Sequence, residues 1–321
     1  MNLGRWFDVT GLAALVLGLG ALYVAAVVIR TADLILFFLP YVLAGSIVLT
    51  VLFLTWRRRH LLLMMLMLGG SIAVLPVFAE RSEIDGGTRV RVATINMLSD
   101  KNADLPALKA WLDSRPADII LVQEAPHDGP GLRGITNAYP VVLGPYSWDV
   151  ALLTRYPVIG EPRLLDDGVF TKRKRIARVE LDVTDRSNPN ARRETLVVYA
   201  VHAQTPRSKE KWRERNRLLA VLEEAVNSEA PGTRVVVGGD FNTPTWSPWI
   251  HKLLLTTPLR LADESLWPVA TRYFREFGWP QFFGSTVDHV MVGPGVEVER
   301  HRVGPDVGSD HLPVVVDVEL H

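Results

Sequence analysis

The chain contains no cysteine. That excludes disulfides, thiolate metal sites and a cysteine nucleophile, and it suits an exported domain that has to fold without redox chemistry. Net charge is lacking as well, because 35 lysines and arginines balance 35 aspartates and glutamates over 321 residues. Such a balance does not advertise a general nucleic-acid binder, although a local basic patch survives it. There is no internal repeat and no low-complexity tract. Long apolar runs are missing from everything after residue 80, so the overall hydrophobic share of 48% is concentrated at the amino end.

Three uncharged stretches fill that end: Val9 to Ile29, Leu34 to Trp56 and Leu61 to Ala79. Each is near the roughly twenty residues that cross a bilayer as a helix. Pro40 and Pro76 are tolerable in such helices. The expectation is a three-helix transmembrane anchor over residues 1–80, with spans at about 9–29, 34–56 and 61–79. Arg57, Arg58, Arg59 and His60 separate the second and third spans, and a basic loop is retained in the cytoplasm. Everything after Ala79 is therefore expected outside the cell membrane. Residues 81–88, with Gly86 and Gly87, read as a linker.

From Arg89 the pattern changes to short apolar runs alternating with helical segments, an α/β texture. Strands are expected at Arg89–Asn96, Ala117–Glu124, Val150–Thr154, Ile176–Val183, Leu196–His202, Thr286–Val292 and Leu312–Leu320, with helices at Leu105–Ser114 and Lys209–Asn227. The stretch around which the rest is organised is VVVGGDFN, Val235 to Asn242. Its β-branched run reads as a buried strand, and two glycines permit a sharp turn at its end. Asp240 and Asn242 then face one point beyond the sheet. There an Asp can take a proton or hold a hydrated metal, while an Asn offers an uncharged N–H to a phosphoryl oxygen.

Polar residues recur wherever strands end: Asn96, Glu124, His202, Asp240 with Asn242, Asp288 with His289, and Asp310 with His311. Strand ends are where ligand sites collect in α/β architectures. Their order and context resemble the endonuclease/exonuclease/phosphatase superfamily, on TIN at 94–96, QE at 123–124, ALLTRYPV at 151–158, VH at 201–202, GDFN at 239–242, VDHV at 287–290 and SDHLPV at 309–314. The resemblance spans residues 89–321. With the anchor in front, the chain is similar to the superfamily's bacterial membrane proteins associated with teicoplanin-type glycopeptide resistance.

What the resemblance implies is a four-layer α/β sandwich, two packed mixed sheets flanked by helices, hydrolysing phosphate esters with Mg²⁺ or Mn²⁺. An all-oxygen donor set suits those hard cations independently. By the family's pattern Glu124 and Asp310 bind metal, with Asn96 beside them. Asp240 activates water, Asn242 holds a phosphoryl oxygen, Asp288 orients His311, and His202 donates to a phosphate oxygen or the leaving group. One departure stands out: Leu98 occupies a place where the exonuclease III-like branch has an acid, which leans away from that branch. His289 should point to the other face. Arg155 and Tyr156 read as structural, Lys172 to Arg175 as a solvated basic run, and Trp246, Trp249, Trp267 and Trp279 as a candidate apolar rim.

The expected protein is a membrane-anchored, metal-dependent phosphohydrolase acting outside the cytoplasmic membrane, with a lipid-linked phosphate or pyrophosphate as substrate and the bilayer as partner. The second choice is a surface-tethered nuclease on DNA or RNA. The third is a tethered binding module without catalysis, which would not need the whole set of site residues.

Overall fold

The computed structural model describes residues 18, 20–41, 44–45, 87–102, 104–114, 117–125, 139–143, 149–165, 176–186, 193–263, 265, 269–273 and 284–321. Their contacts divide the chain into two compact units, one made of Met1–Val77 with Thr243–His251, the other of Phe78–Asn242 with Lys252–His321.

In the first unit, residues 20–28 are helical. Ile29 interrupts them with an extended backbone, and α1 follows at Arg30–Leu36. Arg30–Asp33, which lie between the first two expected spans, are helical, and Asp33 is buried. About half of the first two expected spans and all of the third lie outside the described residues. Among the described residues no helix is long and apolar enough to cross a membrane.

The second unit contains β1 (Thr88–Asn96), α2 (Leu105–Ser114), β2 (Ile119–Gln123), β3 (Val141–Leu143), β4 (Val150–Thr154), β5 (Val158–Leu165), β6 (Ile176–Asp182), β7 (Thr195–His202), α3 (Lys209–Asn227) and β8 (Val235–Asp240). After α4 (Pro248–Thr256) come β9 (Arg260–Leu261), β10 (Arg272–Tyr273), β11 (Gly284–Ser285), β12 (Asp288–Val292), β13 (Val296–Val303) and β14 (Val314–Leu320). Two six-stranded mixed sheets result, in the orders β13-β14-β1-β2-β4-β3 and β5-β6-β7-β8-β12-β9, beside the small β10-β11 hairpin.

The sheets pack face to face because each central strand is apolar on both sides. One buried cluster joins Val92, Leu121, Leu152 and Val316 of the first sheet to Val179, Val198, Val236 and Val290 of the second. The outer face of the first sheet is covered by α2, whose Leu108 and Leu112 join Ile95, Ile120 and Leu153. The outer face of the second meets α3, where the Tyr199 hydroxyl donates to the Ala225 carbonyl. Ser208 starts α3, its hydroxyl accepting from the Lys211 N–H. The layers are thus helix, sheet, sheet, helix, as expected.

Glycine matters most at Gly239. Its φ is +150°, and a Cβ there would lie 1.9 Å from the Val201 carbonyl oxygen, so only glycine lets β8 lie this close to β7 where the site begins.

Candidate active site

Register builds the site. In the second sheet His202 is opposite Asp240 across the parallel β7–β8 pair, and Asp288 is opposite Asp240 across the antiparallel β8–β12 pair. Three functional side chains thereby end neighbouring strands at one edge. In the first sheet Asn96 lies opposite Gln123, which brings Glu124 alongside it. A bond between the sheets closes the site, the Asn96 side-chain amide donating to Asp240 Oδ2 at 3.1 Å.

Asp240 is the centre of this network. Its Oδ2 also accepts from the Asn242 side-chain amide at 2.9 Å, and its Oδ1 accepts from the Asn242 backbone N–H at 2.8 Å. Asn242 reaches this position through a left-handed backbone, φ +47°, which a non-glycine residue adopts only at a cost of about 1 kcal/mol or more. Its amide also donates to the Ala203 carbonyl at 2.9 Å. Both amide protons are thus engaged. We expected Asn242 to offer an N–H to phosphate, and the structure instead has it holding Asp240.

Two imidazoles flank Asp240. His311 Nδ1 faces Asp288, at 2.8 and 3.0 Å from its two oxygens, while His311 Nε2 lies 3.9 Å from Asp240 Oδ2. His202 Nδ1 is held by Asp149, and its Nε2 lies 3.5 Å from Glu124 and 3.7 Å from Asp240 Oδ2. Each ring is therefore fixed at one nitrogen by a carboxylate and presents the other toward the same point. Asp288 is itself positioned by Thr271, whose hydroxyl oxygen accepts from the backbone N–H groups of Val287 and Asp288, both at 3.0 Å.

Electrostatics separates the roles. Burial alone would discharge the His311 ring, but Asp288, Asp240 and Asp310 outweigh it and raise its pKa to about 9. At neutral pH the ring is an imidazolium. Burial raises the Asp288 carboxyl, and the adjacent His311 opposes that.

Asp240, Asp288 and His311 form a compact group, their potential ligand atoms all within 4.8 Å of one another. The Asp288–His311 hydrogen bonds hold that group together, so it reads as a catalytic dyad beside a carboxylate rather than as a ligand cage. Glu124 and Asp310 offer further oxygen donors of the kind a hard cation takes. Asp310 Oδ1 is buried with no hydrogen-bond partner, an acceptor whose desolvation a cation would offset. Glu124 has a left-handed backbone, φ +48°, and remains one-third exposed at its side chain. The Asn96 side-chain oxygen accepts from the Leu98 N–H at 3.0 Å while its nitrogen serves the carboxylates of Asp240 and Glu124.

Every site residue expected from the sequence reaches this edge. Two that were not expected join them. Asp149 precedes β4, and since Gln123 is opposite Val150 in the antiparallel β2–β4 pair, Asp149 falls across from Glu124, whose N–H donates to its carbonyl. Arg272 of β10 pairs with Asp310 at 3.2 Å and bridges to the backbone of His311. Other expectations resolve simply. His289 turns away and packs on Phe241 with ring centres 5.4 Å apart. Arg155 reaches Asp118 at 3.8 Å and lies over the Tyr139 ring, a structural role. Trp246 is buried in the first unit rather than forming a rim, its indole donating to the Leu36 carbonyl. Lys172 to Arg175, Trp267 and Trp279 lie outside the described residues.

The family model described as Endonuclease/Exonuclease/phosphatase family matches residues 93–311. No curated protein matches the chain. Among solved structures, the endonuclease/exonuclease/phosphatase from Bacteroides vulgatus is 18% identical, with a TM-score of 0.57, covering 73% of this chain and 100% of that one. The human nocturnin catalytic domain with bound sulfate anion is 16% identical, at 0.56, covering 74% and 97%. Sphingomyelinase C from Streptomyces griseocarneus is 18% identical, at 0.51, covering 71% and 99%. At these identities the structural likeness speaks for the fold.

Proposed function

The chain belongs to the endonuclease/exonuclease/phosphatase family, whose members are metal-dependent phosphoester hydrolases, and we propose that it is a membrane-anchored phosphoric-ester hydrolase acting on lipid-linked phosphate or pyrophosphate outside the cytoplasmic membrane. One observation carries the chemistry. Two imidazoles, each held by an aspartate through one nitrogen, aim the other at the carboxylate of Asp240 from within 3.9 Å.

In-line hydrolysis needs a base for water, donors for the charge that develops on phosphorus-bound oxygens, and a proton for the leaving oxygen. Asp240, fixed by three N–H groups, is the base and receives the water proton as the new P–O bond forms. His311, held protonated beside Asp288, faces the developing negative charge. His202, oriented by Asp149, is placed to supply the proton as the old P–O bond breaks. Glu124 and Asp310 would hold Mg²⁺ or Mn²⁺, which when bound neutralises phosphate charge and polarises the ester.

Support for the lipid reading comes from the amino end. The uncharged runs at 9–29, 34–56 and 61–79 are of spanning length. Within the first unit Val24 and Val28 are 68% and 71% exposed, a surface suited to acyl chains. Tethering to a bilayer raises effective concentration for a lipid substrate and does little for a soluble one.

The test is phosphate release by the full chain in detergent, with Mg²⁺ or EDTA, on a polyprenyl pyrophosphate, a phospholipid-like diester and plasmid DNA. Metal-dependent cleavage of the prenyl substrate with intact plasmid is the expected result. Nicked plasmid with no lipid turnover would make the protein a tethered nuclease instead.

A further inference from the structure

Six side chains at the catalytic edge are linked by successive close approaches. From Glu124 Oε1 it is 3.5 Å to His202 Nε2, 3.7 Å on to Asp240 Oδ2, 3.9 Å to His311 Nε2, and 4.0 Å to Asp310 Oδ1. Asp310 Oδ2 then lies 3.2 Å from the Nη2 of Arg272. Burial varies along this series. The side chains of His202, Asp240 and His311 are at most 4% exposed, whereas the ends open to solvent, Glu124 at 33% and Arg272 at 20%. The more exposed members of the series are thus a carboxylate, Glu124, and a guanidinium, Arg272.

Arg272 is held there by the backbone. It pairs with Ser285 across the β10–β11 hairpin, and a Cβ on Gly284 would lie 2.1 Å from the Arg272 carbonyl oxygen, so the hairpin closes this tightly only with glycine. On its other side it bridges to His311, while the Leu312 N–H donates to the Thr271 carbonyl at 2.6 Å. The base of the guanidinium is thereby tied to the segment that holds the catalytic imidazole.

A guanidinium is a permanent planar cation whose forked donors match phosphate oxygens. A phosphodiester brings one negative charge, and two imidazoles already face the reacting centre. A terminal phosphate or pyrophosphate brings at least one more, and a further cation gains most against that surplus. We propose that Arg272 is a specificity-determining residue of this site, gripping the extra anionic oxygens of substrates that end in a phosphate or pyrophosphate group and favouring them over diesters. This rests on the hydrolase reading above and narrows its substrate class.

The experiment uses the full chain in detergent with Mn²⁺, as wild type, Arg272→Gln and Arg272→Lys. It measures kcat/KM on p-nitrophenyl phosphate and on bis(p-nitrophenyl) phosphate, and binding of inorganic phosphate by calorimetry. Loss of one charge-assisted pair is expected to lower monoester turnover about 10- to 100-fold more than diester turnover in Arg272→Gln. Phosphate binding should weaken in parallel, and Arg272→Lys should recover part of both. A purely structural ion pair would lower both turnovers alike, and that result overturns the proposal, as does phosphate bound equally by Arg272→Gln and wild type. Should wild type cleave neither ester, the hydrolase reading fails, and Arg272 is then judged on phosphate binding alone. Should Arg272→Gln not fold, the same comparison of substrates in Arg272→Lys decides.

Discussion

Asp149 illustrates what a single residue can do without approaching the reacting atoms. It holds His202 Nδ1, which fixes the ring's orientation and leaves Nε2 facing the site. Asp149→Asn can still touch the ring but no longer favours a proton on Nδ1. We expect kcat to fall by about 100-fold, as for other groups that orient a catalytic imidazole, with the thermal midpoint unchanged. A loss within threefold would mean that His202 is oriented without Asp149. Its absence from the sequence reading has a clear cause. Candidate residues were sought at the carboxyl ends of strands, and Asp149 precedes its strand, reaching the same edge only because β4 runs antiparallel to β2. Asp240, Asp288 and His311, at strand ends or in a distinctive local pattern, were legible. The working partners of Asn242 and Asn96 were not, since only tertiary contact shows that their amides are spent on Asp240.

Among the elements, β6, β7 and α3 are fastened by one network just beyond the end of α3. Arg178 of β6 donates to Glu229 through Nε at 2.6 Å and Nη2 at 2.9 Å, and the Tyr199 hydroxyl of β7 donates to the same carboxylate at 2.5 Å. Burial by itself would raise the Glu229 carboxyl, but the Arg178 and Tyr199 bonds prevail and hold it below the usual range. A carboxyl depressed in the folded state adds stability above its unfolded pKa of about 4.3, and that contribution is lost as pH falls through the folded value. Glu229→Gln should therefore destabilise the protein by about 2 kcal/mol at pH near 7, with the gap to wild type narrowing below about pH 4. Thermal unfolding of both proteins across that range checks it; a gap independent of pH would assign the loss to packing. The central strands and α3 were readable because their burial repeats match their chemistry, and β4 and α3 have the expected boundaries. The sheet edges were not. β13 alternates valines with charges and shifts register between Val298 and Arg300, and β5 holds Pro162, a left-handed Gly160 and a shift between Ile159 and Arg163. Charge, proline and bulges are what keep edge strands from pairing further, and they also erase the period that a sequence reading relies on.

For the whole molecule, the two compact units are not consecutive blocks of sequence. The residues that follow Asn242 directly, Thr243–His251, belong with the amino-terminal segment. Within that unit Trp246 is 4% exposed among Ala26, Ala32, Leu36 and Leu39, its indole donating to the Leu36 carbonyl. Ser247 Oγ donates to the buried Asp33 at 3.3 Å, and the Tyr23 hydroxyl meets His251 Nδ1 at 2.5 Å. A segment acting only as a tether would not bury an aromatic side chain drawn from so far along the chain. Removing that side chain in Trp246→Ala deletes a filled core position and its hydrogen bond, for which about 3–5 kcal/mol is typical. The cost should fall on the first unit. We expect proteolysis within residues 20–41 and 243–251 of the full chain in detergent to accelerate at least about 100-fold, as a loss of this size implies when local opening governs cleavage. Leu255→Ala supplies the control, since that side chain is 78% exposed and its loss should change nothing. Cleavage of Trp246→Ala at the wild-type rate would show that the amino-terminal segment folds without the loop and is separable from the sequence that follows Asp240.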